Sequence, residues 1–214
     1  PRNTRFAART SLSTVMWPAN RAEMELHTSL SRKKTVARPT RMVFDLGPGA
    51  PADIVQCCEV GLWLREILQS MKLESFAKTS GSKGLQVYVP LNTPVTYDDT
   101  KALSKALAEY LEHEHPKLLL SKMAKALRTG KIFVDWSQND EHKTTINVYS
   151  LRAKEQPTAS TPVTWEEVAK CLKKKDAKLL TFHCAETLRR VGKMGDLFAP
   201  VETLKQKLPK KWTL

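Results

Sequence analysis

The stretches Arg41-Met-Val-Phe-Asp-Leu46 and Lys131-Ile-Phe-Val-Asp-Trp136 decide the fold, because each is typical of a β-strand that ends in a carboxylate. An aspartate in an apolar run is costly to desolvate unless a metal ion or a cationic group meets it. Asp45 and Asp135 therefore predict a shared cation site on neighbouring strands. A second carboxylate on the same strand face would be expected two residues after Asp45, but that position is Gly47.

The composition predicts one domain that binds nucleic acid. The chain has 214 residues and a net charge of +13, from 35 Lys+Arg against 22 Asp+Glu. Phosphate polymers are the commonest partners of such a field, although a generally basic surface, or a basic segment of a larger protein, would look the same. No apolar run approaches the ~20 residues of a membrane span, so we expect no membrane partner. The spacing of the four cysteines matches no zinc pattern and indicates free thiols and a cytoplasmic location.

We expect a basic N-terminal arm (residues 1–13), one domain (14–209, the stretch that carries the resemblance given below) and a basic C-terminal tail (210–214). The first 20 residues, with Arg2, Arg5 and Arg9, are expected to be loosely ordered. The pattern predicts further elements, namely strands at 22–27, 74–78, 85–90 and 145–149, and helices at 53–71, 97–114, 164–171 and 185–190. Because strands and helices interleave irregularly, we expect an α+β fold with a mostly antiparallel sheet packed by helices.

A glycine-rich basic loop, Thr79-Ser-Gly-Ser-Lys-Gly84, lies between two of the predicted strands. It lacks the spacing of a P-loop, but its backbone N–H groups could approach an anion, with Ser80 as a hydroxyl donor and Lys83 as a point charge. A surface hairpin turn would use similar residues. Gln138 could bind a sugar or base and Arg152 could clamp a triphosphate, with solvated positions as the alternative. His27 is either a phosphate ligand or a core histidine.

The chain resembles the polymerase domain of the DNA ligase D family, the end-joining branch of the archaeo-eukaryotic primases. The resemblance rests on ordered motifs within residues 14–209: Trp17-Pro-Ala-Asn20, Glu25-Leu-His27, Val43-Phe-Asp-Leu46, Lys78-Thr-Ser-Gly-Ser-Lys-Gly-Leu85, Ser121-Lys-Met-Ala-Lys-Ala-Leu-Arg128, Phe133-Val-Asp-Trp-Ser-Gln-Asn139, Pro157-Thr-Ala-Ser-Thr-Pro-Val-Thr-Trp165 and Gly195-Asp-Leu-Phe-Ala-Pro200.

This resemblance implies a primase-polymerase catalytic core with an RRM-like sheet, which adds nucleotides, often ribonucleotides, to DNA ends using Mn²⁺ or Mg²⁺. It implies that Asp45 and Asp135 bind the metal. It assigns the incoming nucleotide to a second set of side chains: His27, Ser80, Lys83, Arg128, Gln138 and Arg152. The implied partners are DNA ends or primer-template, nucleoside triphosphates, and a ligase domain or an end-binding Ku-type protein. The implied location is the cytoplasm, in association with the nucleoid.

Two positions depart from the family pattern, which has Asp where this chain has Gly47 and His where it has Gln86. Losing one carboxylate should weaken metal binding sharply. The family also places before the Trp17 segment a region that contacts DNA ends, and most of it has no counterpart here. Three hypotheses therefore stay open: a DNA-repair nucleotidyltransferase, a catalytically impaired DNA-binding remnant of that fold, and a fragment that folds poorly.

Overall fold

A computed structural model describes residues 11–209, so the predicted tail and most of the predicted arm lie outside the described residues. The described chain is built from helices and strands in this order: α1 (Leu12–Asn20), β1 (His27–Thr28), β2 (Arg41–Pro48), α2 (Ile54–Ser70), β3 (Phe76–Thr79), β4 (Leu85–Pro90), α3 (Tyr97–Glu114), β5 (Leu119–Leu120), β6 (Ile132–Asp135), β7 (Thr145–Ile146), β8 (Pro162–Val163), α4 (Trp165–Lys174), α5 (Cys184–Met194) and α6 (Ala199–Thr203).

The main sheet has six strands in the order β5-β6-β2-β4-β3-β8. All neighbouring pairs are antiparallel except β5 and β6, which are parallel. Strands β1 and β7 form a separate two-stranded antiparallel ribbon. The predicted α+β class with a mostly antiparallel sheet is therefore confirmed.

The two faces of the sheet differ in the side chains they carry, because side chains alternate between the faces along β2. Met42, Phe44 and Leu46 are fully buried in the main core, together with residues of α2 and α3. Burying each of these side chains stabilises the fold by about 1.5–3 kcal/mol. On the opposite face Val43 is buried in a second, smaller cluster, whereas Asp45 and Gly47 are only partly buried. That opposite face is where polar chemistry can take place.

The two long helices and β4 lie where the sequence predicts them. Helix α2 begins after Asp53, whose side chain accepts a hydrogen bond from the Val55 N–H at 2.7 Å, and a capping box with Gln56 completes the start. Helix α3 begins with a similar capping box between Thr96 and Asp99. All four cysteines are free thiols, as expected. In the described part of the chain, no helix is long and apolar enough to cross a membrane.

Three sequence predictions were wrong or too long. Residues 11–20 are not loosely ordered throughout, because α1 begins at Leu12 behind a capping box, inside the predicted arm. The predicted strand 22–27 is reduced to His27–Thr28, since the Leu26 N–H bonds the Ser150 hydroxyl at 2.7 Å and not a strand backbone. The predicted strand 145–149 ends at Ile146, and Tyr149 has a left-handed backbone (φ +64°) that a strand cannot continue through.

Candidate functional site

A row of four polar residues crosses the face of the main sheet that lies opposite the main core, and two of the four, Lys78 and Gln86, are themselves buried. In the strand register, Lys78 of β3 lies opposite Gln86 of β4, Gln86 opposite Asp45 of β2, and Asp45 opposite Asp135 of β6. Residues directly opposite one another in antiparallel strands point to the same face, with Cβ atoms about 4.5–5.5 Å apart. The two carboxylates therefore converge as the sequence predicts, while their role as metal ligands stays a prediction.

The two carboxylates have different surroundings. Asp135 Oδ1 accepts hydrogen bonds from the Ser137 N–H at 3.0 Å and the Ser137 hydroxyl at 2.6 Å, and Oδ2 accepts one from Gln138 Nε2 at 2.9 Å. The pKa of Asp45 is raised, chiefly by burial and further by the charge of Asp135, although the Gln86 amide opposes the shift. A bound cation would relieve this electrostatic cost, because it favours the ionised form of Asp45.

Gly47 leaves open the place where a third carboxylate would stand. It lies opposite Phe133, and a Cβ built there would meet nothing nearer than the Phe133 carbonyl oxygen at 4.0 Å. Among the described residues, no group of three or more Asp, Glu, His or Cys side chains is placed to hold a metal ion. Mg²⁺-type cations can be held by one or two carboxylates with water and substrate phosphates as the other ligands. Asp45 and Asp135 fit one such cation, but not the pair of cations that three carboxylates would hold.

The glycine-rich loop is a tight turn packed against β2. The Ser80 N–H bonds the Gly84 carbonyl at 2.9 Å, and the Ser80 hydroxyl oxygen accepts from the N–H groups of Ser82 at 3.2 Å and Gly84 at 3.1 Å. Gly84 is required, since a Cβ would lie 2.2 Å from the Leu46 carbonyl oxygen. Lys83 is exposed on the loop and lines a cavity of about 320 Å³ that Phe182 also lines.

Two of the predicted nucleotide-binding side chains, His27 and Arg152, meet at one carboxylate. Glu25 accepts from Arg152 Nε at 3.1 Å and contacts His27 Nε2 at 3.2 Å. Arg152 also donates through Nη1 to the Ser80 carbonyl at 3.4 Å, which brings it to the glycine-rich loop. The structure thus groups His27, Arg152 and Ser80.

The other two predicted residues, Gln138 and Arg128, border the β6 side of the row. Gln138 donates to Asp135, and its own Oε1 is buried without a hydrogen-bond partner among the described residues. The Arg128 guanidinium lies 3.9 Å from the ring centroid of Phe133, and Nη2 donates to the Met123 carbonyl at 2.8 Å. Because Phe133 lies opposite Gly47, Arg128 stands next to the open third position.

The sequence prediction missed two charged residues of this region, Lys78 and Glu25. Lys78 is fully buried, and its Nζ donates to the Ile146 carbonyl at 3.0 Å and to the Ser160 hydroxyl at 2.6 Å. Burial lowers the pKa of Lys78 to about 7. The sequence contained a signal for each residue. Lys78 is a lysine in an apolar strand two residues before Ser80, and Glu25 belongs to the alternating segment Glu25-Leu-His27.

A mostly antiparallel sheet that carries paired carboxylates, flanked by a glycine-rich loop and basic side chains, defines the class of primase-type polymerase cores. Comparison with known proteins assigns the family. The model of the LigD primase-polymerase domain matches residues 1–198, so the chain belongs to that family. The resemblance given by the sequence motifs is thereby confirmed.

Two similar proteins are themselves LigD proteins. The multifunctional non-homologous end joining protein LigD of Mycolicibacterium smegmatis is 40% identical over 190 residues, which cover 88% of this chain and 24% of that protein. The bifunctional non-homologous end joining protein LigD of Bacillus subtilis is 33% identical over 162 residues, which cover 75% of this chain and 26% of that protein. The chain therefore spans about a quarter of the length of these curated relatives.

A solved structure is also similar. The polymerase domain of Mycobacterium tuberculosis ligase D in complex with DNA has a TM-score of 0.81 and 36% sequence identity. The match covers 94% of this chain and 74% of that chain.

Proposed function

We propose that this chain is a DNA-repair nucleotidyltransferase that adds nucleotides to DNA ends during non-homologous end joining. The observation that carries the proposal is the register that sets Asp45 directly opposite Asp135, on the sheet face that carries Lys78. Family membership supports the same activity, and the DNA in the similar structure supports a DNA substrate.

The charge of each side chain determines the role that we propose for it. Asp45 and Asp135 would hold Mn²⁺ or Mg²⁺, and such a cation, when bound, stabilises negative charge on the transferred phosphoryl group. Arg152, Lys83 and His27 would neutralise and orient the triphosphate. Gln138 has a buried acceptor, Oε1, that fits a hydroxyl or amino group of the nucleotide.

The family and the net charge together suggest how the protein binds DNA, which partners it has and where it acts. With a net charge of +13, DNA binding should weaken strongly with salt. A ligase domain or an end-binding Ku-type protein would bring the chain to a break. The site of action would then be the cytoplasm, in association with the nucleoid.

The experiment is primer extension with ribonucleoside and deoxyribonucleoside triphosphates across a Mn²⁺ titration. We expect incorporation by the parent, and its loss in Asp135→Ala, by at least roughly a hundredfold because the cation loses half of its carboxylate ligands. Asp98→Ala, which removes an exposed aspartate from the first turn of α3, is the matched control and should extend primers as the parent does. Salt-sensitive DNA binding without incorporation at any Mn²⁺ concentration would refute the proposal and leave the impaired DNA-binding remnant as the function.

A further inference from the structure

Glu25 connects two chain segments that both belong to the proposed nucleotide site. Its Oε1 accepts hydrogen bonds from Arg152 Nε at 3.1 Å and from the Ala153 N–H at 3.0 Å, while Oε2 lies 3.2 Å from His27 Nε2. One carboxylate therefore holds a guanidinium and an imidazole that lie 125 positions apart in the sequence, from His27 to Arg152.

We propose that Glu25 is a positioning residue of the nucleotide site, which fixes Arg152 and His27 in the orientation that receives a triphosphate. This inference rests on one part of the proposed function, the binding of a nucleoside triphosphate, because it assigns the triphosphate to these two side chains. Glu25 acts through its neighbours and does not itself meet the nucleotide, since a carboxylate facing a triphosphate would repel it.

The hydrogen bonds of Arg152 show why Glu25 orients the guanidinium and does not compete for it. Within the described residues, Arg152 uses Nε toward Glu25 and Nη1 toward the Ser80 carbonyl, which leaves Nη2 for an anion. A guanidinium fixed at Nε loses less conformational freedom when it binds a phosphate, so its hydrogen bond to the ligand is worth more.

The charge on Glu25 is itself maintained by this arrangement. The Ala153 N–H lowers the pKa of the Glu25 carboxyl, and His27 and Arg152 lower it further, against the opposing effect of burial. Glu25 is therefore ionised at neutral pH and can hold both partners.

The backbone around Glu25 is anchored without its side chain. The Leu26 N–H donates to the Ser150 hydroxyl at 2.7 Å, and the Leu26 carbonyl accepts from the Asn147 N–H at 2.7 Å. Ribbon pairing of His27 with Ile146 continues this connection. Removing the carboxylate should consequently leave the fold intact and release the two side chains and the exposed Ala153 N–H.

The test measures binding of ATP with Mn²⁺ by calorimetry, beside the thermal melt of each variant. We expect Glu25→Ala to raise the Kd for ATP about tenfold, the value of losing one charge-assisted hydrogen bond. Glu25→Gln keeps an acceptor for Arg152 and Ala153, so it should restore the Kd to within about threefold of the parent. Glu109→Ala, which removes an exposed glutamate of the Lys105–Glu109 pair in α3, is the matched control and should bind ATP as the parent does.

The inference is overturned by a folded Glu25→Ala variant that binds ATP as tightly as the parent or more tightly, or by a parent that does not bind ATP. If Glu25→Ala unfolds, Glu25→Asp replaces it, because the shorter side chain keeps the charge but loses reach; unchanged ATP binding by Glu25→Asp would also overturn the inference. The proposed function is tested separately by primer extension. A parent that binds ATP in this pattern without extending primers would refute that function and leave the role of Glu25 standing.

Discussion

The substitution Gly47→Asp should convert a weak cation site into a strong one. Position 47 shares its sheet face with Asp45, and along a strand the two positions lie roughly 6–7 Å apart. A Cβ at Gly47 has its nearest neighbour at 4.0 Å, the carbonyl oxygen of Phe133, so the aspartate fits without displacing backbone. The change thus adds a charge and almost no strain.

The expected change in stability follows from the distance between the carboxylates at positions 45 and 47. Two carboxylates roughly 6–7 Å apart repel each other by about 2–3 kcal/mol at an effective dielectric constant of 20, so the metal-free variant should lose about 2 kcal/mol of stability. For a domain of this size that lowers Tm by about 4–8 °C. A divalent cation near the new carboxylate gains more than this repulsion costs, and we expect Mn²⁺ to bind at least about tenfold more tightly.

The assay is a thermal melt in EDTA and in Mn²⁺, with calorimetry for the Mn²⁺ affinity and primer extension for activity. Gly47→Asp should melt below the parent in EDTA and recover in Mn²⁺. Gly192→Asp is the matched control, since a Cβ at Gly192 meets nothing within 4 Å and the residue lies in α5, outside the polar row. Equal Mn²⁺ affinity in Gly47→Asp and the parent would refute the convergence of positions 45, 47 and 135 on one cation.

Three other substitutions test the surrounding structure. Burial lowers the pKa of Lys78 to about 7, so the unfolded chain binds more protons than the folded chain between about pH 7 and 10. The free energy of unfolding should therefore rise with pH across that window. Denaturant titrations at several pH values should show this rise in the parent and not in Lys78→Met. Gly84→Ala forces a Cβ against the Leu46 carbonyl and should weaken ATP binding at least about tenfold in calorimetry, whereas Gly47→Ala should leave it unchanged. Phe44→Ala removes a fully buried side chain, and urea unfolding should show a loss of about 3–5 kcal/mol.

The sequence predicts the core elements well because their signals are local. Capping residues and apolar spacing locate α2 and α3, and β4 is a short apolar run that only Gln86 interrupts. The short ribbon was predicted poorly, because β1 and β7 are held by tertiary contacts such as the bond from the Leu26 N–H to the Ser150 hydroxyl. Side-chain alternation alone could not show that the Leu26 N–H bonds a hydroxyl and not a strand backbone.

The site was predictable to the extent that it follows strand register. Asp45 and Asp135 could be paired because each follows an apolar run in a predicted strand, although β2 continues beyond Asp45 to Pro48. The contacts of Glu25 depend instead on a loop near Arg152 that no periodicity locates. Lys78 was missed because a buried lysine is rare, and only the acceptors Ile146 and Ser160 show why it is tolerated.

The two faces of β2 explain why the fold does not depend on which residue stands at position 47, where the resemblance implies an aspartate and this chain has glycine. Phe44 and Leu46 point into the core, so their burial fixes the strand whatever stands at the alternating positions. At Gly47 the ladder continues, since this residue still pairs with Phe133 and the next with Ile132. The residue at position 47 can therefore change the proposed metal site without changing the fold. The Gly47→Asp variant separates folding from the proposed metal binding, because it changes the face that carries the polar row and leaves the core-facing side chains of β2 unchanged.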